Sequence, residues 1–209
     1  MAVELIGYRH SVYLRIVRAV LLEKGVPFRH VEVDPFGVVP DWYRALHPFG
    51  RVPVLRHGDF VVYETAAICR YVDAVFAGAR LVPEGARAAA RMQQVIGIVD
   101  RYGYWPMVRQ VFAHAVFRPS MEGEAGDPGE VAAGLRASAG VLEALERLIE
   151  GEWLAGEALS LADLHLGPMM GYFTAAPEGV AMLAGYPKLA GWWGRVKGRL
   201  SLGEIGETD

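Results

Sequence analysis

Apolar positions along this chain follow two regimes, and the change from one to the other divides it. Val3 to Ile6 is a short apolar run with the character of a buried strand. Val12, Ile16, Val20 and Leu21 then recur at helical spacing on one face, with Arg15, Arg18, Glu23 and Lys24 toward the other. Ser11 stands at the N-cap position of this helix, and Gly25 and Pro27 stop it. Phe28 to Val33 alternates as FRHVEV and predicts a second strand. A strand, a helix and a strand imply a parallel pair with a right-handed crossover. Pro40 to Leu46 predicts a short helix opening on proline. Val52 to Leu55 and Phe60 to Tyr63 predict an antiparallel hairpin turning at His57-Gly58-Asp59. Thr65 to Phe76 carries Ala66, Cys69, Tyr71 and Val72 at helical spacing. The predicted order is βαβαββα.

After the stretch AGARLVPEG, residues 77–85, strand patterns cease. Ala86 to Phe117 reads as helix, with a bend expected at Gly103 or Pro106. Arg118 to Gly129 reads as a loop. Glu130 to Ile149 is amphipathic, with Leu135, Leu142, Leu145 and Ile149 marking its buried face. Ser160 to Phe173 and Pro187 to Leu200 are further helices. The expected organisation is an α/β domain over residues 1–77 and an all-α domain over residues 86–209.

Composition narrows the function classes. Hydrophobic residues make up 53% and charged residues 22% of the chain, as in a folded globular protein. The net charge of −3 is dispersed, so the basic field needed for nucleic acid is missing. No uninterrupted apolar run reaches the ~18 residues of a membrane span. The opening MAVELIGYRHSVYLR lacks a signal-peptide pattern, and a cytoplasmic location is expected. The single cysteine, Cys69, excludes an internal disulfide and a cysteine-based zinc site. It falls on the apolar side of its helix and reads as a small buried hydrophobe. His10, His47, His114 and His165 show no metal-ligand spacing, and no metal is expected.

Four features could carry chemistry. Pro53, inside the predicted third strand, is either an edge proline or the cis partner of Val52, which would free the Val52 backbone to pair with an extended peptide. Glu64-Thr65 opens a helix, where free N–H groups suit a carboxylate and Glu64 could accept from an ammonium. A plain N-cap with a solvated acid explains the same residues. Ser11 is too weakly acidic to be a nucleophile without a base, yet it is placed to donate to an anion at a helix N-terminus. If that anion is a thiolate, its pKa falls from about 8.5. Ser160-Leu161-Ala162-Asp163 is a capping box with Asp at N3, and Leu159 and Leu164 are its hydrophobic staple. Tyr102, Tyr104, Trp105, Met107 and Phe112 cluster on the helix after residue 86, either as core or as the lining of an apolar pocket.

The stretches SVYLRIVRAVLLEKG, HPFGRVPVL, YETAAICRYVD and LSLADLHLGPMMGYF, in this order, resemble the cytosolic glutathione transferases, especially serine-type bacterial and phi/theta-like members. The resemblance spans nearly the whole chain. It implies a thioredoxin-like N-terminal domain and a homodimer that conjugates the glutathione thiolate to a small hydrophobic electrophile. It implies that Ser11 holds the glutathione sulfur, with Tyr8 the runner-up. By the same resemblance Val52, before cis Pro53, pairs with the cysteinyl backbone, Glu64 and Thr65 hold the γ-glutamyl end, and Arg51 lies near the tripeptide. The second-substrate pocket is assigned to Tyr104, Trp105, Val108 and Phe112, and the buried acid of the capping box to Asp163. Two departures stand out. The family's His-Lys pair upstream of the NPFG-type motif is replaced by Gly37 and Val38, and the motif itself is HPFG. A non-catalytic glutathione-binding protein, or a glutathione-dependent isomerase, dehalogenase or peroxidase, is the alternative.

Overall fold

The computed structural model describes residues 2–199. These divide into two compact units, one up to Leu81 and the other from Val82 to Arg199.

The first unit is built on a four-stranded sheet. Strand β1 (Val3–Gly7) is followed by helix α1 (Val12–Glu23), β2 (Arg29–Glu32), α2 (Asp41–Leu46), β3 (Val54–His57), β4 (Phe60–Tyr63) and α3 (Thr65–Val75). The spatial order is β2-β1-β3-β4, with β1 and β2 parallel and the other pairs antiparallel. Every residue of β1 is buried, whereas β2 at the edge keeps only Val31 partly covered. Ile6, Val33, Val39, Tyr43 and Val54 form one apolar cluster under α2. Toward the other end of the same face Glu4 is flanked across the strands by Arg29 and Arg56 and bonds to both. The Arg29 hydrogen bond leads the pull that holds the Glu4 carboxyl below the usual range. The third strand starts at Val54 and not at the expected Val52, because Pro53 has no N–H to give the ladder.

A buried ion pair closes this unit. Lys24 Nζ donates to Asp73 Oδ1 at 3.2 Å and to the carbonyl oxygens of Asp73 and Ala79 at 3.3 and 3.0 Å. Asp73 Oδ1 also accepts from the Leu81 N–H at 2.8 Å. The end of α1, the end of α3 and the chain beyond it are thereby tied at one point.

The second unit is helical: α4 (Ala86–Ile98), a wider π-helical run (Val99–Glu122), α5 (Pro128–Leu148), α6 (Leu161–Phe173), α7 (Pro177–Leu183) and α8 (Pro187–Val196). The helical path changes at Val99, ahead of Gly103 and Pro106, and both Pro106 and Pro119 fall in the wide run. The loop expected over 118–129 shrinks accordingly, with helix reaching Glu122 and resuming at Pro128, whose missing N–H is harmless at N1. Helix α7 was not legible in the sequence, being only two turns long. The last helix ends at Val196, and Leu200 lies outside the described residues. The inner face of α5 also differs from expectation. Gly134 and Ser138 are buried while Leu135 is only partly covered. The π-helical run passes so close that a Cβ on Gly134 would stand 2.8 Å from both Gln110 Cβ and the Pro106 carbonyl oxygen.

Asp163 is the polar hub of this unit. Its Oδ2 accepts from the Ser160 N–H and hydroxyl, each at 2.8 Å, completing the capping box. Its Oδ1 accepts from the Leu154 N–H at 2.9 Å and from Trp192 Nε1 at 2.8 Å. Burial pushes the carboxyl up, and these donors oppose that push. Asp163 thus joins α6, the 150s loop and α8 through groups that have no access to water. Replacing it by alanine strands several buried donors at about 1–3 kcal/mol apiece. Asp163→Ala is expected to lower unfolding free energy by about 3 kcal/mol or more, read from the urea midpoint. A loss below about 1 kcal/mol would show that water replaces the carboxylate.

Candidate active site

Strand register brings the sequence-predicted residues of the first unit to one end of the sheet. Ile6 lies opposite Val54, and Val54 lies opposite Tyr63. The exit of β1, the entry to β3 and the exit of β4 therefore coincide. Gly7 to Ser11 leaves β1 at this end, Arg51 to Pro53 enters β3, and Glu64-Thr65 follows β4. Because β2 runs parallel to β1, the loop holding Gly37 and Val38 leaves from the same end. Val38 is 96% exposed there, with no charge to offer.

Ser11 has extended backbone angles and caps α1, its Oγ accepting from the Leu14 N–H at 3.4 Å. Its own N–H is bonded to the Tyr8 carbonyl at 2.8 Å, which closes a tight turn. A hydroxyl that accepts from the helix still has its proton to donate. The Tyr8 ring stands edge-on to His10 and Phe36, with centroids 5.2 and 5.9 Å apart. Arg15 Nε donates to the Arg9 carbonyl at 3.2 Å, which brings a guanidinium back to the same turn. Burial first, then the charges of Arg15 and Arg9, hold the His10 imidazole below its ordinary pKa.

The Val52–Pro53 peptide bond is cis. Both residues precede the β3 ladders, which begin at Val54. Val52 is backed by Gly7: a Cβ on Gly7 would lie 3.0 Å from Val52 Cβ and 2.8 Å from Leu14 Cδ1. Arg51 is exposed, and its carbonyl is fixed by the Tyr43 hydroxyl, which donates to it at 2.6 Å. Burial pushes that hydroxyl's pKa up, so it stays a donor. Tyr43, a buried residue of α2, is a supporting residue that sequence reasoning missed. Its place in the short helical pattern 40–46 marked it only as core.

Glu64, at φ 71° and ψ 113°, is the one non-glycine residue with positive φ among the described residues. L-residues avoid this region, and strain of this kind concentrates at functional sites. Its carbonyl accepts from the Ile68 N–H at 2.9 Å, so α3 is already engaged, while its carboxylate is exposed and Thr65 is buried beside it. Among the described residues no group of three or more His, Cys, Asp or Glu side chains is arranged to hold a metal ion.

In the second unit the predicted pocket residues separate. Trp105 is 61% exposed, Val108 is buried, and Tyr104 and Phe112 are partly covered. Phe112 stacks on Tyr172 of α6 with centroids 4.0 Å apart and planes within 3°. Tyr172 was not singled out from the sequence, because α6 is buried nearly all round and shows no preferred face.

Residues 5–80 match the N-terminal domain model of the glutathione S-transferases, and residues 108–199 match the C-terminal one. The chain belongs to the glutathione S-transferase family. Glutathione S-transferase 3 of Zea mays is 32% identical over 88% of this chain and 83% of its own length. Glutathione S-transferase F10 of Arabidopsis thaliana is 30% identical over 88% of this chain and 87% of its own length. A solved glutathione S-transferase-I bound with lactoylglutathione superposes with a TM-score of 0.85, at 26% identity and 98% coverage of both chains.

In this transferase the seat of Val52 depends on Gly7 having no side chain. Gly7→Ala forces Val52 or Leu14 to move, and such overpacking costs about 1–3 kcal/mol. Urea unfolding is expected to report a loss in that range. An unchanged midpoint would mean that the seam between β1 and Val52 is not tightly closed.

Proposed function

We propose that this transferase is a serine-type, phi/theta-like enzyme that conjugates the glutathione thiolate to small hydrophobic electrophiles. One observation carries the proposal: strand register gathers Ser11, Arg51–Pro53 and Glu64–Thr65 at a single end of the sheet. The tripeptide lies there in extended form, and its cysteinyl backbone pairs with Val52 beside Pro53. Glu64 accepts from the γ-glutamyl ammonium, and Thr65 with the first turn of α3 holds the γ-glutamyl α-carboxylate. Gly37 and Val38 carry no cation and His47 is enclosed, so Arg51 takes the glycine carboxylate.

Ser11 donates its hydroxyl proton to the sulfur, and the N-terminal end of α1 adds its positive dipole. The bound thiol releases its proton to water. The thiolate then attacks an electrophilic carbon and a leaving group departs with the bonding pair. Catalysis is thiolate stabilisation plus proximity. The electrophile rests on apolar surface of the helical unit, where Phe112 stacks on Tyr172. The F-type names of the plant relatives are in keeping with the phi-like reading. We place the protein in the cytoplasm as a homodimer, in keeping with the family and with its single buried cysteine. The missing cation at Gly37–Val38 favours a second reading, a glutathione-binding protein without conjugating activity. Titration calorimetry separates the two: binding weaker than about millimolar, with no turnover, selects the second.

A hydrogen bond to an anion contributes about 1.5–3 kcal/mol, or roughly one to two pKa units. Ser11→Ala is therefore expected to raise the bound thiol's pKa by about one to two units. Thiolate absorbance in the ultraviolet and the pH–rate profile with a model aryl halide both read it. An unchanged profile would reject Ser11 and promote Tyr8.

A further inference from the structure

We infer that His47 is a positioning residue of the glutathione site, a buried imidazole packed against Tyr63, the residue just ahead of Glu64, whose protonation weakens tripeptide binding. The inference rests on the proposed binding of glutathione at this end of the sheet. His47 occupies the first position of HPFG, and it is only 2% exposed. Its ring lies against Tyr63 with centroids 4.5 Å apart, against Phe49 at 6.1 Å and against Tyr43 at 6.4 Å. Its Nδ1 is buried and has no hydrogen-bond partner among the described residues. A buried polar atom left unpaired in a packed site is uncommon and calls for a reason.

The backbone of His47 links α2 to the binding loop. Its N–H donates to the Tyr43 carbonyl, and its carbonyl accepts from the Gly50 N–H, both at 2.9 Å. The groups that bear on the ring are the Tyr43 hydroxyl from α2, Arg51 from the loop, Tyr63 from β4 and Glu64 ahead of α3. Burial is the main influence and lowers the pKa of the ring. The Glu64 charge favours its protonation and the Arg51 charge opposes it.

The sign of the effect follows. A proton on His47 places a cation between three aromatic rings, drawing the Glu64 carboxylate inward and repelling Arg51. In the proposed site these two groups hold the ammonium and the glycine carboxylate of the tripeptide. Proton and ligand thus compete for the same carboxylate. By reciprocity, bound ligand must lower the affinity of His47 for its proton, and acid must weaken binding.

S-Methylglutathione is the suitable probe, because it has no thiol to titrate. Calorimetric titration of the intact protein should give weaker binding at about pH 5.5 than at about pH 7.5, by up to about fivefold for a ligand-linked shift of about one pKa unit. His47→Asn and His47→Gln should bind at about pH 7.5 and lose this pH dependence. A pH slope equal to the wild type in either folded variant overturns the inference, and so does a flat wild-type profile. NMR titration of the His47 ring in the wild-type protein gives a reading free of any variant. Its pKa should fall on adding S-methylglutathione, and an unmoved pKa rejects the role. If the wild-type protein does not bind the probe at about pH 7.5 at all, the glutathione reading itself fails.

Discussion

Two side chains close on bare backbone at Gly7, and the geometry of this end of the sheet depends on that contact. With no side chain at residue 7, β1 comes close enough to α1 and to Val52 for Leu14 and Val52 to close over it. The contact sets where α1 begins, and hence where Ser11 points its hydroxyl. It also sets where Val52 stops, and hence which backbone groups face outward ahead of the β3 ladder. Sheet register then carries the alignment on to Tyr63 and Glu64. A few ångströms of slack at Gly7 would separate groups that are meant to act on one ligand.

The supporting shell repeats one device: a side chain that bonds to backbone carbonyl or N–H groups from other segments. Tyr43 holds Arg51 by its carbonyl. Lys24 gathers Asp73 and Ala79. Asp163 gathers the Leu154 and Ser160 backbone N–H groups, with the Trp192 indole besides. Each is buried, so each bond forms in a medium of low dielectric and is costly to leave unmade. Such bonds fix direction as well as distance, which apolar packing alone does poorly.

Much of this was written in the periodicity. All four strands, α1, α2, α3 and the capping box at Ser160–Asp163 follow from apolar spacing and cap residues, because each is a local property of the chain. What escaped detection depends on partners far away in sequence. Pro53 falls outside β3 because its neighbour strand needs an N–H that it lacks. Leu135 yields the buried face of α5 to Gly134 because the π-helical run approaches too closely for a larger residue. That run itself has a period that helical templates do not test, so the apolar face of Val99–Glu122 could not be traced in advance. For the site, Ser11, Arg51, Val52, Pro53, Glu64 and Thr65 were nominated from helix starts, a strand proline and family motifs. Tyr43 and Tyr172 were not, because their roles arise from contacts between elements.

Glu64 shows how a strained residue can serve recognition. Glycine would relax at φ 71°, but it has no carboxylate, and an acid free to relax would sample many directions. Here the hairpin on one side and α3 on the other pin the backbone, so the freedom an incoming ligand would otherwise have to remove is already gone before it arrives. In the proposed site, the backbone that carries this carboxylate is set during folding and not during encounter.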